Sequence, residues 1–230
     1  MDDVALIVGT GSGLSASLAR LLAGQGMRLA LAARNVAKLA PLASETGAVA
    51  IGCDATDAAQ VDALFAAVEK KWRAPDLVVY NASYRVRGAL VELDSKEVER
   101  SLAISAFAGF LVGQAAAKRM LARGSGAIFF TGASASVKGY ANSAPFAMGK
   151  FALRGLAQSM ARELAPKGIH VAHFVIDGGI GREGDARAAE RGQDGMLLPD
   201  EIARNYLHVY RQHRSAWTCE LELRPWVERF

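Results

Sequence analysis

Cysteine and histidine are scarce in this 230-residue chain, which contains two cysteines and four histidines. Cys53 and Cys219 are too few for the disulfide framework of a small secreted domain, and they do not have metal-ligand spacing. The acidic start, Met1-Asp2-Asp3, lacks the positive charge that opens a signal peptide. We therefore predict a cytoplasmic location and no metal site.

Long apolar runs and basic tracks are also missing. The longest uncharged stretch, Ser101–Ala117, contains Ser, Gln and Gly and is shorter than the roughly 20 apolar residues that cross a bilayer. It predicts a buried helix. The net charge is +4 and the Lys and Arg residues are scattered, so neither a membrane nor a nucleic acid is an expected partner.

Short β-type runs alternate with longer amphipathic runs along most of the sequence. This alternation predicts βαβ units, and hence a doubly wound parallel α/β sheet of Rossmann type with helices on both faces and about seven strands. The length fits one domain, residues 1–230. The predicted strands are Ala5–Gly9, Arg28–Ala33, Val49–Cys53, Leu77–Tyr80, Ala127–Thr131, His170–Ile176 and a weaker Trp217–Leu223. The predicted helices are Gly13–Gln25, Asp57–Trp72, Ser95–Leu121, Ala144–Ala165 and Asp200–Arg211.

Residues 181–199 interrupt this rhythm with Gly, Arg and acidic residues. They predict a long loop that is either a substrate lid or an ordinary insertion. Its arginines could attract an anion, but they alternate with acidic residues, so a self-paired, solvated loop is favoured; these residues are Arg182, Glu183, Asp185, Arg187, Glu190 and Arg191. The tail, 224–230, carries two aromatic residues and is predicted to pack against a partner subunit.

The segment from Ala5 to Ser15 is a buried strand, a glycine-rich turn and the start of a helix. Glycine allows a sharp turn and a close approach of backbone to a pyrophosphate, and a helix N-terminus supplies free N–H groups. We predict a dinucleotide site at Gly9, Gly11, Ser12, Gly13 and Leu14, the alternative being a merely structural turn.

This segment resembles the short-chain dehydrogenase/reductase family, whose turn reads Thr-Gly-x-x-x-Gly-x-Gly. Gly9 and Gly13 match its first two glycines, whereas the third position is Ser15. The resemblance extends from Ala5 to about Ile180. It implies a homodimer or homotetramer in which the two long helices, Ser95–Leu121 and Ala144–Ala165, pair between subunits.

Nucleotide choice is indicated at the end of the second predicted strand. Arg34 stands where NAD-specific proteins place a carboxylate, and a guanidinium can pair with a 2′-phosphate, so NADP(H) is favoured over NAD(H). The alternative is an ordinary surface arginine. By resemblance, further cofactor contacts are expected at Asn35, Asp54, Ala55, Asn81, Ala82, Ser83, Lys150, Gly178 and Ile180.

The chemical end of the site departs from the family, which uses a Tyr-x-x-x-Lys pair, a Ser and an Asn. Phe146 occupies the Tyr position before Lys150, Ala133 falls at the Ser position beside Ser134, and Ser105 replaces the Asn. We expect Lys150 to contact the cofactor rather than to be a surface lysine. Candidate replacement groups for catalysis are Ser134, Asp177, Tyr140 and Tyr84, each with an ordinary packing or turn role as the alternative. His170 and His173 are assigned to the core.

Two functions follow from this pattern. The first is an NADP(H)-dependent oxidoreductase of short-chain type that acts on a small carbonyl or alcohol with an altered proton donor. The second is a catalytically silent NADP(H)-binding sensor or scaffold. Both classes need the cofactor-side residues, which are largely kept.

Overall fold

The computed structural model describes residues 2–182 and 184–228. Its strands form one parallel sheet in the order β3-β2-β1-β4-β5-β6-β7. The strands are β1 (Val4–Val8), β2 (Arg28–Ala33), β3 (Val49–Gly52), β4 (Leu77–Tyr80), β5 (Gly126–Thr131), β6 (Ile169–Ile176) and β7 (Glu220–Leu223). The seven-stranded, doubly wound prediction is confirmed.

The helices cover both faces of this sheet. They are α1 (Leu14–Gly24), α2 (Ala40–Thr46), α3 (Ala58–Lys71), α4 (Ser95–Leu102), α5 (Ala108–Arg123), α6 (Ala144–Leu164), α7 (Ala186–Arg191) and α8 (Pro199–Tyr210). One apolar core lies between the sheet and α3, α5 and α6, and the other lies between the sheet and α1 and α8.

The central strands are apolar because both of their faces are covered. All five residues of β1 and all eight of β6 are buried, as expected for parallel strands between two helical layers. In the sheet register, Val8 of β1 lies opposite Ala32 of β2 on one side and Tyr80 of β4 on the other. The loops that leave these three strands therefore emerge side by side, at the point where the strand order reverses and α/β proteins bind ligands.

The long helix predicted over Ser95–Leu121 is not regular. A π-helical turn, Ala103–Phe107, separates α4 from α5. In the described part of the chain, the whole run Ser95–Arg123 is long and apolar enough to cross a membrane, but half of its most apolar window is buried inside the domain, as in a core helix. The absence of a membrane partner stays a prediction.

Short elements account for the other differences. The 3₁₀ turn Val36–Leu39 and α2 were not predicted from the sequence. The predicted long loop contains α7, and a bridge between Ile180 and Leu197 holds its two ends together. In the tail, Trp226 is 80% exposed, whereas the second aromatic, Phe230, lies outside the described residues. Packing of the tail against a partner stays a prediction.

Candidate functional site

The glycine-rich turn is shaped by two different requirements. Gly9 has a φ of +84°, and a Cβ atom there would come within 2.4 Å of the backbone nitrogen of Ala82, so only glycine fits. By contrast, a Cβ atom at Gly11 or Gly13 would meet no protein atom within 4 Å. Packing within the chain therefore does not require glycine at these two positions, and the space beside their backbone is open.

Helix α1 starts beside this turn, and no side chain caps its first amide groups. Its N-cap residue, Gly13, supplies no side-chain hydrogen bond, and the first turn carries no acidic residue. The positive end of the helix faces a cavity of about 550 Å³. Free N–H groups and the helix dipole together favour an anion at this position.

Ser15 and Asn81 connect the turn to the end of β4. The Asn81 Nδ2 atom donates a hydrogen bond of 2.6 Å to the Ser15 hydroxyl, which in turn donates to the carbonyl oxygen of Gly9 at 3.3 Å. The backbone N–H of Asn81 also donates to the Val8 carbonyl at 2.8 Å. The predicted turn and the predicted Asn81-Ala82-Ser83 segment therefore form one hydrogen-bonded unit.

A second cavity, of about 270 Å³, adjoins this unit and is lined by Arg34, Asp54, Ala55, Asn81, Ala82 and Ser83 among others. Asp54 accepts hydrogen bonds from the backbone N–H and the hydroxyl of Thr56, at 3.0 and 2.8 Å. These bonds, the backbone one above all, lower the pKa of Asp54. The predicted adenine-side residues therefore lie together, with a fixed negative charge among them.

Arg34 lies between this cavity and a groove of about 600 Å³ that Ser12, Asn35 and Lys38 also line. Its side chain is exposed and makes no hydrogen bond or ion pair with any other residue in the described ranges. The side-chain oxygen of Asn35 accepts a hydrogen bond of 3.4 Å from the Lys38 backbone N–H and so caps the following 3₁₀ turn. Lys38 was not predicted as a site residue. Its position four residues after Arg34 is the sequence feature that could have indicated a second cation beside the groove.

Lys150 lies at the other end of the larger cavity. Its Nζ atom is buried and donates a hydrogen bond of 2.7 Å to the carbonyl oxygen of Thr131. Burial lowers the pKa of Lys150 to about 8. Because the side chain is buried and lines the cavity, the alternative of a surface lysine is excluded.

Phe146 precedes Lys150 by one turn of α6 and is also buried. Its ring centroid lies 5.9 Å from the Lys150 Nζ atom and 4.7 Å from the guanidinium carbon of Arg85. Arg85 was missed in the sequence, because nothing in its neighbourhood of the chain indicates that it reaches α6. The ring therefore lies between two cations, and it has no hydroxyl that could accept a hydrogen bond from either of them.

Ala133 and Ser134, the two residues at or beside the family Ser position, line different cavities. Ala133 lines the cavity that contains Phe146 and Lys150, whereas Ser134 lines a neighbouring cavity of about 470 Å³, together with Tyr140 and Asp177. Asp177 is buried and ion-paired with Lys138 at 3.0 Å and with Arg224 at 3.4 Å. These two ion pairs explain its position without a catalytic role.

Tyr84 and Ser105 pack around the π-helical turn. The Tyr84 hydroxyl donates to a carboxylate oxygen of Glu97 at 2.6 Å, a bond that raises the tyrosine pKa. The buried Ser105 hydroxyl accepts from the Tyr84 backbone N–H at 3.4 Å, and the Tyr80 hydroxyl donates to the Ile104 carbonyl. Turns of this kind often occur at functional sites. The contacts give both candidates structural partners.

A family model described as short chain dehydrogenase matches residues 3–194. The chain belongs to the short-chain dehydrogenase family. Among its relatives, D-threitol dehydrogenase of Mycolicibacterium smegmatis is 31% identical over 217 residues, which are 87% of this chain and 82% of the relative. L-2,3-butanediol dehydrogenase of Corynebacterium glutamicum is 30% identical over 190 residues, 79% and 73% of the two chains.

Solved structures agree with this assignment. A short-chain dehydrogenase from Rhodopseudomonas palustris has a TM-score of 0.85 and 35% identity, and the similarity covers 98% of this chain and 100% of that one. A metagenomic short-chain oxidoreductase in complex with NADP has a TM-score of 0.85 and 25% identity, covering 98% of each chain. As a member of the short-chain dehydrogenase family, this chain is an NAD(P)-dependent oxidoreductase, as the sequence predicted.

Two points separate this member from the family motifs quoted above. That Phe146 stands in the position of the family tyrosine, and Ala133 in that of the serine, stays a prediction, although both residues line the cavity of Lys150. His170 and His173 are buried in the core, as the sequence predicted, and His173 contacts the buried Ser136 hydroxyl at 3.3 Å and Glu220 at 3.2 Å.

Of the basic residues of the 181–199 loop, Arg187 is paired within the loop, as predicted, whereas Arg191 is paired with a residue outside it. Arg187 pairs with Asp185 at 2.6 Å, and Arg191 pairs with Glu228 of the tail at 2.6 Å. Arg182 lines the Lys150 cavity. Glu183 lies outside the described residues.

Proposed function

We propose that this short-chain dehydrogenase transfers a hydride between NADP(H) and a small carbonyl or alcohol substrate, with an altered proton donor. One observation carries the proposal. Adjoining cavities run from the exposed Arg34, past the uncapped start of α1, to the buried Lys150. A dinucleotide needs such an arrangement, with a cation at one end, amide donors at the pyrophosphate and a hydrogen-bond donor at the second ribose.

The preference for NADP(H) rests on Arg34 and Lys38. A 2′-phosphate at the end of β2 would meet an arginine that has no ion-pair partner in the described structure, with a lysine along the same groove. Arg pairs bidentately with phosphate, which strengthens such a contact. NADP is also the nucleotide in the metagenomic relative with 25% identity.

The roles of the chain follow from this placement. The amides from Gly11 to Leu14 hold the pyrophosphate, and the Lys150 ammonium donates to the nicotinamide ribose. Gly178 and Ile180, after β6, border the same cavity and exclude water from it. The bound nicotinamide supplies or accepts the hydride.

The proton donor is altered because neither Phe146 nor Ala133 carries a hydroxyl. Ser134 and Tyr140 line the adjoining cavity and are the remaining hydroxyl candidates, with the ion-paired Asp177 beside them. NADPH oxidation against a carbonyl panel tests the set. Loss of turnover in Ser134→Ala, Tyr140→Phe or Asp177→Asn assigns the donor, whereas unchanged turnover in all three eliminates them together.

The absence of those two hydroxyls also favours a second function, a silent NADP(H)-binding sensor or scaffold. Calorimetry with NADPH and NADH separates the possibilities when it is combined with the carbonyl panel. The enzyme proposal expects binding of NADPH at least about tenfold tighter than NADH, with measurable turnover. Binding without turnover of any carbonyl supports the sensor, and affinity for neither nucleotide overturns both.

We propose further that the described segments act as one domain, with the 181–199 loop on the substrate side, and that two or four copies assemble. Large apolar side chains on α6 and on the helical run before it are exposed, and those of Phe107 and Phe110 line an apolar groove of about 540 Å³. The exposed side chains include Phe107, Phe110, Met148 and Phe151. Light scattering at the monomer mass would contradict the assembly.

A further inference from the structure

Arg85 and Arg87 lie on the loop that follows β4, and both line the cavity of about 470 Å³. Arg85 also lines the larger cavity that contains Lys150 and Phe146. The pair therefore lies between the cavity proposed for the nicotinamide and the neighbouring cavity, where a substrate could bind. Neither residue was noted from the sequence.

The acidic groups of this cavity already have cation partners. Asp177 is paired with Lys138 and Arg224, and Glu228 is paired with Arg191. Arg85 and Arg87, by contrast, form no hydrogen bond or ion pair with other residues of 2–182 and 184–228. The cavity thus carries two positive charges without internal compensation.

The two guanidinium groups are also close enough to repel each other. Burial, and after it the charge of Arg87, lowers the pKa of Arg85. Arg85 lies over the Phe146 ring, with its guanidinium carbon 4.7 Å from the ring centroid. This stacking holds the cation in place, while its N–H donors, which lie in the guanidinium plane, stay available. Two neighbouring arginines, one of them stacked on a ring and neither paired with a carboxylate, are suited to binding an oxyanion.

We propose that Arg85 and Arg87 bind an oxyanion group of the substrate, a carboxylate or a phosphate ester, and so select anionic carbonyl compounds. The inference rests on the proposed function, since it places the anion beside the carbonyl that accepts the hydride. It also gives Phe146 a role, because the ring supports Arg85.

Calorimetry on the NADP⁺-saturated protein tests this without reduction of the probe carbonyl, because the oxidised nucleotide has no hydride to donate. The probes are two matched pairs, acetoacetate with ethyl acetoacetate, and dihydroxyacetone phosphate with dihydroxyacetone. We expect one charged member at least to bind about tenfold or more tighter than its neutral partner. Which pair discriminates tells carboxylate from phosphate.

The variants are Arg85→Gln and Arg87→Gln, with Arg162→Gln as the control, an exposed arginine on α6 that donates to the Gln158 carbonyl. Each cavity variant should weaken the charged probe about tenfold and leave the neutral probe and NADP⁺ unchanged. Equal binding within both pairs, or equal losses in the control, overturns the inference. Loss of NADP⁺ affinity in the cavity variants also overturns it, since the arginines then serve the cofactor.

Failure of the proposed function is a separate result. If the unaltered protein does not bind NADP⁺, the same probe pairs are titrated without nucleotide. Discrimination that depends on Arg85 and Arg87 then supports the anion site alone, and its absence overturns it.

Discussion

Asn81 donates its side-chain amide to the hydroxyl of Ser15 across a distance of 2.6 Å. Ser15 stands at the third position of the glycine motif, where the family has glycine, and its hydroxyl also bonds to the carbonyl of Gly9. The residue that departs from the motif thus ties the turn, the start of α1 and the end of β4 together. Its side chain is buried, so the bond is protected from water.

This relationship predicts a measurable coupling between the two residues. Ser15→Ala and Asn81→Ala should each lower the free energy of unfolding by about 0.5–1.5 kcal/mol, because each removes the hydrogen bond between the buried Ser15 and the half-buried Asn81. The double variant should lose less than the sum of the two, with a coupling of about 1 kcal/mol. Urea denaturation of the three variants measures this.

Ser17→Ala is the matched control, since Ser17 is also buried on α1 and its hydroxyl makes no hydrogen bond among the described residues. Additive losses in the double variant would show that the Ser15–Asn81 contact does not stabilise the turn.

Arg34 should decide between the two nucleotides. In Arg34→Glu, a carboxylate replaces the guanidinium and repels a 2′-phosphate, so NADPH affinity should fall about tenfold or more while NADH affinity is retained or gained. Calorimetry with both nucleotides measures the ratio. Arg28→Glu is the control, because Arg28 lies at the opposite end of β2. An unchanged NADPH to NADH ratio would remove Arg34 from the site.

The fold could be predicted because its signals are local. The largely apolar run His170–Ile176 predicts a buried strand without knowledge of its neighbours. The Gly9 turn is recognisable because strand, glycines and helix follow one another directly. The short α2 and α7 were missed, since helices of seven and six residues have too few turns for a clear period. Asn81 was expected as a cofactor contact by resemblance, but the tertiary contacts of the site residues could not be predicted from the sequence. Asn81 meets Ser15 across 66 residues of sequence, and Arg85 meets Phe146 only through the fold.

Phe146→Tyr should restore a proton-transfer group. The new hydroxyl would extend from a ring that lies 5.9 Å from the Lys150 Nζ atom, whose positive charge favours the phenolate. General acid catalysis typically contributes about 10²–10⁴-fold, so NADPH oxidation with a reactive carbonyl should rise by a factor in that range.

Phe151→Tyr on the same helix is the control, because its side chain is exposed and lies outside the cavity of Lys150. Thermal unfolding confirms that both variants fold. Equal turnover in the two would show that position 146 does not face the reacting carbonyl; a further gain on adding Ala133→Ser would place residue 133 beside it.

His173 should make the protein acid-sensitive. Burial lowers its pKa from 6.5 to about 4, although Glu220 opposes the shift. Between these values the unfolded chain takes up a proton that the folded protein excludes. The free energy of unfolding therefore decreases as the pH falls from 6.5 to about 4, by at most about 3 kcal/mol for this group. His173→Asn should flatten this slope in urea denaturation, while His208→Asn, at an exposed position of α8, should keep it. Equal slopes in all three proteins would show that His173 titrates normally.

Lys150 should couple cofactor affinity to pH. Burial holds its pKa near 8, so the ammonium that we propose as a donor to the ribose loses its charge as the pH rises through that value. Charge-assisted hydrogen bonds are about twice as strong as neutral ones, and NADPH affinity should therefore decrease above about pH 8. Lys150→Met should bind NADPH about tenfold more weakly at neutral pH and show no such decrease, because it has no proton to lose. Lys167→Met, which removes an exposed lysine paired with Glu163, should behave as the unaltered protein. A pH dependence that survives in Lys150→Met would assign the titration to another group and leave Lys150 with a structural role on the Thr131 carbonyl.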